Sequence, residues 1–81
     1  MTEQAIRDWL VGFVAELLAI EPAEVDPAAT MEALGVDSAT TLVLASDLGE
    51  LLGRTIPPTE LLDHPTLAAL AGHLARQPSA V

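Results

Sequence analysis

Few side chains in this chain of 81 residues can do chemistry, and the most prominent is Ser38. It follows Asp37 at the point where a loop containing Gly35 gives way to a segment with helical apolar spacing. The only histidines in the sequence are His64 and His73. By composition this set permits a Ser–His–Asp hydrolase, a serine that carries a covalently attached group, or a serine that merely shares a helix cap.

A hydrolase is the weakest of these interpretations. A chain of this size builds one modest core and leaves little room for an enclosed pocket with an oxyanion hole. Neither histidine has Asp or Glu partners at metal-ligand spacing, cysteine is absent, and no GxGxxG or GxxxxGK[ST] phosphate loop occurs. We therefore expect neither enzymatic activity nor a metal site.

The position of Ser38 favours an anionic attachment. Gly35 lets the loop turn away from the hydroxyl, and Asp37 is a good N-cap for a helix that begins at Ser38. A phosphodiester on Ser38 would lie beside the free N–H groups of the first helical turn, where the helix dipole favours an anion. Asp37 adds a negative charge there, so it either caps the helix or ligates a Mg²⁺ ion held by a modifying enzyme. On these residues alone, a shared cap is the simpler interpretation.

The elements that position Ser38 are predicted to be helices. Hydrophobic residues make up 51% of the chain but aromatic residues only 2%, and the helix formers Ala and Leu dominate. Apolar periodicity predicts helices over 3–19 and 38–52, a short turn over 60–63, and a last helix that starts after Thr66. The apolar stripe of the first helix, in which Trp9 and Phe13 are expected to be core residues, consists of Ile6, Trp9, Leu10, Phe13, Val14, Leu17 and Leu18. The second stripe, which leaves Val43 outside, consists of Leu42, Ala45, Leu48 and Leu52, widened by Leu44 and Leu51.

Caps and breakers set the boundaries of these elements. The expected N-caps are Thr2, Thr30, Asp37, Thr59 and Thr66, and Gly53 is expected to end the second long helix. The loop over 20–36 is expected to contain short turns and to be fastened to the core by Val25, Met31 and Leu34, with Ile56 as a further plug after the second long helix. The last helix buries Leu67, Leu70, Ala71 and Leu74. The predicted fold class is all-α: a small four-helix bundle of three main helices and one short helix, with a long first loop.

The charge balance excludes some classes of partner. Twelve acidic residues face three arginines, for a net charge of −9, which argues against nucleic acid and anionic membranes. It fits a partner with a basic docking patch, or simple solubility. The longest apolar run, 9–20, contains Glu16 and is too short to span a bilayer, and the N-terminus lacks a signal-peptide pattern. We expect a cytoplasmic monomer.

Two motifs carry a resemblance to a known family: Leu34-Gly35-Val36-Asp37-Ser38, and the stretch 56–66, Ile-Pro-Pro-Thr-Glu-Leu-Leu-Asp-His-Pro-Thr. Over roughly 5–75 the chain resembles the acyl carrier proteins, and the second motif is similar to that of polyketide-type carriers. The resemblance implies a four-helix bundle with a short third helix. It also implies a 4′-phosphopantetheine arm on Ser38, making the chain a phosphoprotein, and Asp37 before the serine favours acyl over peptidyl carriers.

The same resemblance implies partners. A phosphopantetheinyl transferase would take the arm from coenzyme A, and the arm's thiol would carry acyl groups as thioesters. These thioesters would be made and used by enzymes of polyketide, fatty acid, lipopeptide or antibiotic biosynthesis. The enzymes would be acyl-loading ligases or acyltransferases, ketosynthases and condensation-type enzymes. We also consider that the helices could part to admit an acyl chain.

The sequence departs from the family at its docking face, where Ala39 stands in place of Leu or Met and Val43 where Glu is common. The corresponding surface consists of Ala39, Thr40, Val43, Ser46, Asp47 and Glu50, with Gly49 among them. Partner docking is therefore expected to rely more on apolar contact than in the relatives.

The domain prediction is a single carrier domain, 1–81, with a core over 3–76 and a frayed tail over 77–81. The start at Met1 and the end shortly after the last helix favour a freestanding protein, although an excised domain would look the same. The alternative is a helical interaction module without a prosthetic group, which would tolerate the loss of Ser38.

Overall fold

The computed structural model describes residues 2–76 of the chain, and the tail prediction for 77–81 lies outside them. Its elements in order are α1 (Glu3–Leu18), a 3-10 turn (Pro22–Glu24), α2 (Met31–Leu34), α3 (Ser38–Leu52), α4 (Pro58–Asp63) and α5 (Leu67–Arg76). The only extended pairing within 2–76 is an isolated bridge between Thr30 and Thr66. The predicted all-α bundle with a short helix and a long first loop is confirmed, and α2 adds one turn to that loop.

Threonine hydroxyls start three of the helices. Each accepts the backbone N–H three residues further on, at 3.1 Å for Thr2, 3.0 Å for Thr30 and 3.1 Å for Thr66. These caps were predicted, but the cap at Thr59 is wrong. The fourth helix starts at Pro58 with Pro57 as its N-cap, because a proline at the first helical position lacks only an N–H that would be unpaired there.

Left-handed residues end the first three helices. α1 stops one residue earlier than predicted, because Ala19 adopts a φ of 55° and its N–H folds back onto the carbonyls of α1. Gly53 ends α3 as predicted, with a φ of 71°, and Gly35 ends α2 with a φ of 96°. A left-handed residue without strain requires glycine, which is why the loop can turn sharply at Gly35 just before Ser38.

One hydrophobic core lies between the helices, with α1 packed on α5 and α3 packed on α4. Its largest fully buried side chains are Ile6, Leu10, Val14, Leu44, Leu48, Leu61, Leu67 and Leu70. Val25, Met31 and Ile56 are buried as predicted. Trp9 and Phe13 are only half-buried and stack on each other, with ring centroids 5.6 Å apart.

Three leucines assigned to the core are exposed instead. Leu17 is 44% exposed, Leu42 58% and Leu51 37%. Leu42 lies on α3, and the helix packed there, α4, has only six residues and leaves Leu42 uncovered. Periodicity identifies the face of a helix but not how far the facing element reaches.

Backbone hydrogen bonds fasten the long loop to the start of α5. The N–H of Met31 donates to the carbonyl of Pro65 at 2.8 Å, and the N–H of Ala68 donates to the carbonyl of Pro27 at 2.9 Å. The loop therefore runs past the α4–α5 turn before it reaches Ser38. None of the helices in residues 2–76 is both long and apolar enough to cross a bilayer.

Candidate functional site

Ser38 is the first residue of α3, and its side chain is exposed. Two residues before it, Val36 is buried and donates its N–H to the carbonyl of Met31 at 2.9 Å, which anchors the approach to the helix. The α3 helix that begins with this serine is 15 residues long. The hydroxyl is thus presented outward from a rigid element rather than from a free loop.

Asp37 caps this helix, as predicted. Its Oδ1 accepts the N–H of Thr40 at 2.8 Å, and its backbone carbonyl accepts the Thr41 hydroxyl at 2.9 Å. The backbone hydrogen bond from Thr40, supported by the Thr40 side chain, lowers the pKa of Asp37 below its ordinary value. Ser38 and Ala39, the first two helical residues, have N–H groups that face no carbonyl of the same helix, as at any helix start. They are available to an anion on the Ser38 oxygen.

An open groove of about 600 Å³ begins beside Ser38. It lies between α2, α3 and α4, and its apolar lining includes Met31, Val36, Leu42, Leu61 and Leu62. A flexible arm attached to the serine can follow this groove, and the apolar walls suit a chain of methylene groups better than a charged ligand. The residues present therefore fit a phosphate-linked arm at the helix start.

The predicted docking residues lie mostly where the sequence suggested. Ala39, Ser46, Asp47 and Glu50 are exposed on α3, and the Val43 side chain is 54% exposed. Thr40 is half-buried, not exposed as predicted; its backbone N–H donates to the capping Asp37.

Gly49, expected on the same face, is buried instead. The carbonyl oxygen of Arg54 lies 2.6 Å from where a Cβ of Gly49 would be, so the chain after α3 crosses directly over this glycine.

Sequence reasoning missed an apolar rim around the groove. Leu62 is 71% exposed and Leu42 58% exposed, and both line the groove next to Ser38. Leu42 was assigned to the core because it has the right spacing. The exposure of Leu62 could have been predicted from the sequence. The turn over 60–63 is too short to bury side chains on both of its sides.

Sequence reasoning also missed a polar cluster formed by Arg54, Glu60, His64 and His73. Both guanidinium Nη atoms of Arg54 donate to the Glu60 carboxylate, at 3.0 and 2.8 Å, and His73 Nε2 lies 3.3 Å from Glu60 Oε2. The His73 ring stacks on His64, with centroids 3.9 Å apart and planes inclined by 19°. The hydrogen bond from Arg54 lowers the pKa of Glu60. His73 lies 13 residues after Glu60 in the sequence, so only the tertiary fold brings these two side chains together.

Two solved structures share this architecture. A freestanding peptidyl carrier protein from Acinetobacter baumannii superposes with a TM-score of 0.84 at 32% identity, covering 90% of this chain and 91% of the other. An acyl carrier protein from an Anabaena species superposes with a TM-score of 0.87 at 27% identity, covering 91% of this chain and 84% of the other. The helical bundle of this chain is thus shared with solved carrier proteins.

The chain belongs to the family described as "Phosphopantetheine attachment site", which matches residues 8–74. It is a carrier protein of polyketide type and has no catalytic role of its own. The family's prosthetic group is a covalently attached 4′-phosphopantetheine, which supplies a thiol for thioester formation when it is present.

Among curated proteins, the chain is 42% identical over 73 residues to a phenolphthiocerol/phthiocerol polyketide synthase of Mycobacterium tuberculosis. It is 43% identical over 53 residues to a pikromycin polyketide synthase component of Streptomyces venezuelae, covering 65% of this chain and 3% of that protein. The match to the mycobacterial synthase covers 90% of this chain but only 4% of the synthase. The similarity therefore concerns a carrier domain within much longer proteins.

Proposed function

We propose that Ser38 carries the 4′-phosphopantetheine arm and that the arm delivers acyl thioesters to enzymes of a polyketide-type pathway. The observation that carries the proposal is the exposed hydroxyl of Ser38 at the first position of α3, inside the family's matched range. The free N–H groups of the first turn favour the phosphodiester electrostatically. The groove that starts at the same point gives the arm an apolar surface to follow.

The test is enzymatic loading followed by intact-mass measurement. The apo protein is incubated with coenzyme A and a phosphopantetheinyl transferase, and a mass gain of one phosphopantetheine is expected. Ser38→Ala should show no gain. The matched control is Thr59→Ala, which removes an exposed hydroxyl from the first turn of the neighbouring helix α4 and should be loaded like the unaltered protein.

A mass gain that persists in Ser38→Ala would contradict the assignment of Ser38. No gain in the unaltered protein would contradict the prosthetic group itself and favour a helical interaction module. Both outcomes are read from the same spectra.

We further propose that the partner enzymes dock on the exposed face of α3, at Ala39, Thr40, Val43, Ser46, Asp47 and Glu50. Asp47 and Glu50 are exposed carboxylates, so the facing surface of a partner should be basic. Val43 adds an apolar contact near the serine. The partners fall into two groups: the transferase that installs the arm, and the acyl-loading, ketosynthase or condensation-type enzymes that use it. We place this exchange in the cytoplasm.

The cargo is proposed to be an acyl chain of apolar character. Met31, Val36 and Leu61 form buried parts of the groove lining, and Leu42 and Leu62 are its exposed apolar parts. Loading the arm with a saturated acyl group should shift the methyl signals of these side chains relative to the unacylated arm. Unchanged methyl signals would show that the acyl group stays in solvent.

A further inference from the structure

The groove beside Ser38 combines an apolar floor with a negatively charged rim. Its floor contains Leu61, which has no exposed surface, and Met31, which is buried. Two exposed acidic residues also line it: Glu32, the second residue of α2, and Asp37, the cap of α3. A phosphodiester on Ser38 would add further negative charge beside Asp37. A group that enters the groove therefore meets negative charge at the rim and apolar side chains at the floor.

No arginine or histidine is among the described residues that line the groove. Arg54 donates from both Nη atoms to the Glu60 carboxylate and lines a separate cleft beside the second half of α3. Arg7 is paired with Glu3 on α1, and Arg76 is the last residue of α5. These are all the arginines of the chain, and it has no lysine. The charge at the rim is therefore not balanced by a cation within the groove.

This arrangement disfavours a carboxylate at the end of an acyl chain. At the apolar floor the carboxylate would lose its water without meeting a positive partner, and the acidic rim would repel it. The Thr41 hydroxyl in the lining already donates to the Asp37 carbonyl, at 2.9 Å. A neutral acyl chain has no such penalty, and it gains by covering the exposed Leu42 and Leu62.

We propose that the groove selects acyl groups by charge. It holds neutral acyl chains against Met31 and Leu61, and it leaves carboxylated acyl groups, the half-thioesters of dicarboxylic acids, in solvent. The selection rests on the proposed attachment of the arm to Ser38. Glu32 is a specificity-determining residue of the groove, because it contributes rim charge from α2 while the other acidic residue, Asp37, is committed to the cap of α3. Carboxylated groups thus remain open to a partner enzyme, whereas neutral chains are withdrawn until a partner binds.

The test compares two acyl groups of matched shape on the full chain. The transferase loads the protein from malonyl-coenzyme A or from 3-methylbutanoyl-coenzyme A, in which an isopropyl group replaces the carboxylate, and intact mass verifies each product. The methyl signals of Met31 and Leu61 are then compared by NMR with those of the unacylated arm at neutral pH. The 3-methylbutanoyl group should shift them about fivefold more than the malonyl group. Equal shifts, or no shift with either group, would overturn the proposal.

Glu32→Arg tests the rim directly, because it replaces a negative charge in the groove lining by a cation. The malonyl group should then shift the Met31 and Leu61 methyl signals several-fold more than in the unaltered protein. The matched control is Glu24→Arg, which makes the same charge change at an exposed position of the 3-10 turn, outside the groove lining. It should leave the small malonyl shifts unchanged. Equal responses of the two variants would overturn the role of Glu32.

Failure of the arm is read separately from failure of the selection. Absence of a mass gain contradicts the attachment proposal, and the selection is then decided on Ser38→Cys, since the chain has no other cysteine. The introduced thiolate displaces methanesulfinate from an alkyl methanethiosulfonate and forms a disulfide to an alkyl chain that ends in isopropyl or in carboxylate. Larger methyl shifts with the isopropyl chain support selection by charge, and equal shifts overturn it.

Discussion

The Asp37 carboxylate accepts the backbone N–H of Thr40 at 2.8 Å, and this contact determines where the helix that carries Ser38 begins. It assigns Asp37 a structural task that needs an oxygen acceptor but not a negative charge. Two single substitutions at Asp37 distinguish the need for an oxygen acceptor from the need for a negative charge.

Asp37→Asn keeps an acceptor at the cap and removes the charge, whereas Asp37→Ala removes both. We expect Asp37→Asn to be loaded by the transferase at close to the original rate. Asp37→Ala should start α3 less stably and be loaded more slowly, as measured by intact mass over time and by circular dichroism on heating. Slow loading of a stably folded Asp37→Asn would instead show that the charge itself is used, for example to ligate Mg²⁺ held by the transferase.

Val43 provides the test of the docking face. Its side chain is 54% exposed, so Val43→Glu should change the free energy of unfolding by no more than about 0.5 kcal/mol. If partners make apolar contact there, the KM for the carrier should rise several-fold in transferase or acyl-transfer assays.

The matched control is Ala23→Glu, which adds the same charge at an exposed position in the 3-10 turn. It should leave the KM unchanged. An unchanged KM for Val43→Glu would contradict an apolar contact at this position. A lower KM would show that the partner reads negative charge there, as on a more acidic face.

Alanine substitutions at Gly49 and Gly12 should change the free energy of unfolding in opposite directions. A Cβ on Gly49 would stand 2.6 Å from the Arg54 carbonyl oxygen, so Gly49→Ala must displace backbone and should cost about 1–3 kcal/mol. A Cβ on Gly12 would have no neighbour within 4 Å, so Gly12→Ala should stabilise α1 by up to about 1 kcal/mol. Urea denaturation measures both, and equal effects of the two substitutions would contradict the close crossing at Gly49.

Glu60 should make stability depend on pH in the acid range. Its pKa is lowered from the ordinary 4.5, chiefly by the hydrogen bond from Arg54, so the folded state holds its proton less tightly than the unfolded state. The resulting stability is present above the unfolded pKa and is lost as the pH falls through the folded one. The side chain is about a quarter exposed, which keeps the contribution near 1 kcal/mol or less.

Glu60→Gln should therefore be less stable than the unaltered protein at pH 7, and the two should converge below the folded pKa of Glu60. Urea denaturation at a series of pH values below about 5 measures the difference. Parallel curves for the two proteins throughout that range would contradict the role of the Arg54–Glu60 pair.

Local chemistry made much of the fold predictable. The range of α3 follows from Asp37 at one end and Gly53 at the other, because a cap and a left-handed glycine act within a few residues. The wrong predictions concern the start of α4 and a leucine that the neighbouring helix does not cover. Thr59 looked like a cap, but Pro58 preceded it and could start the helix unaided. Leu42 had core spacing, but α4 is too short to cover it.

The sequence by itself determined the helical class, the start of α3 and the serine at that start, because each depends on residues close together in the chain. The family resemblance in two short motifs then predicted the prosthetic group. Tertiary structure decided which leucines rim the groove, why Gly49 must remain small, and that His64 meets His73 beside Glu60. These features depend on how far one helix reaches over another, and that distance is set by packing of the whole chain rather than by spacing along it.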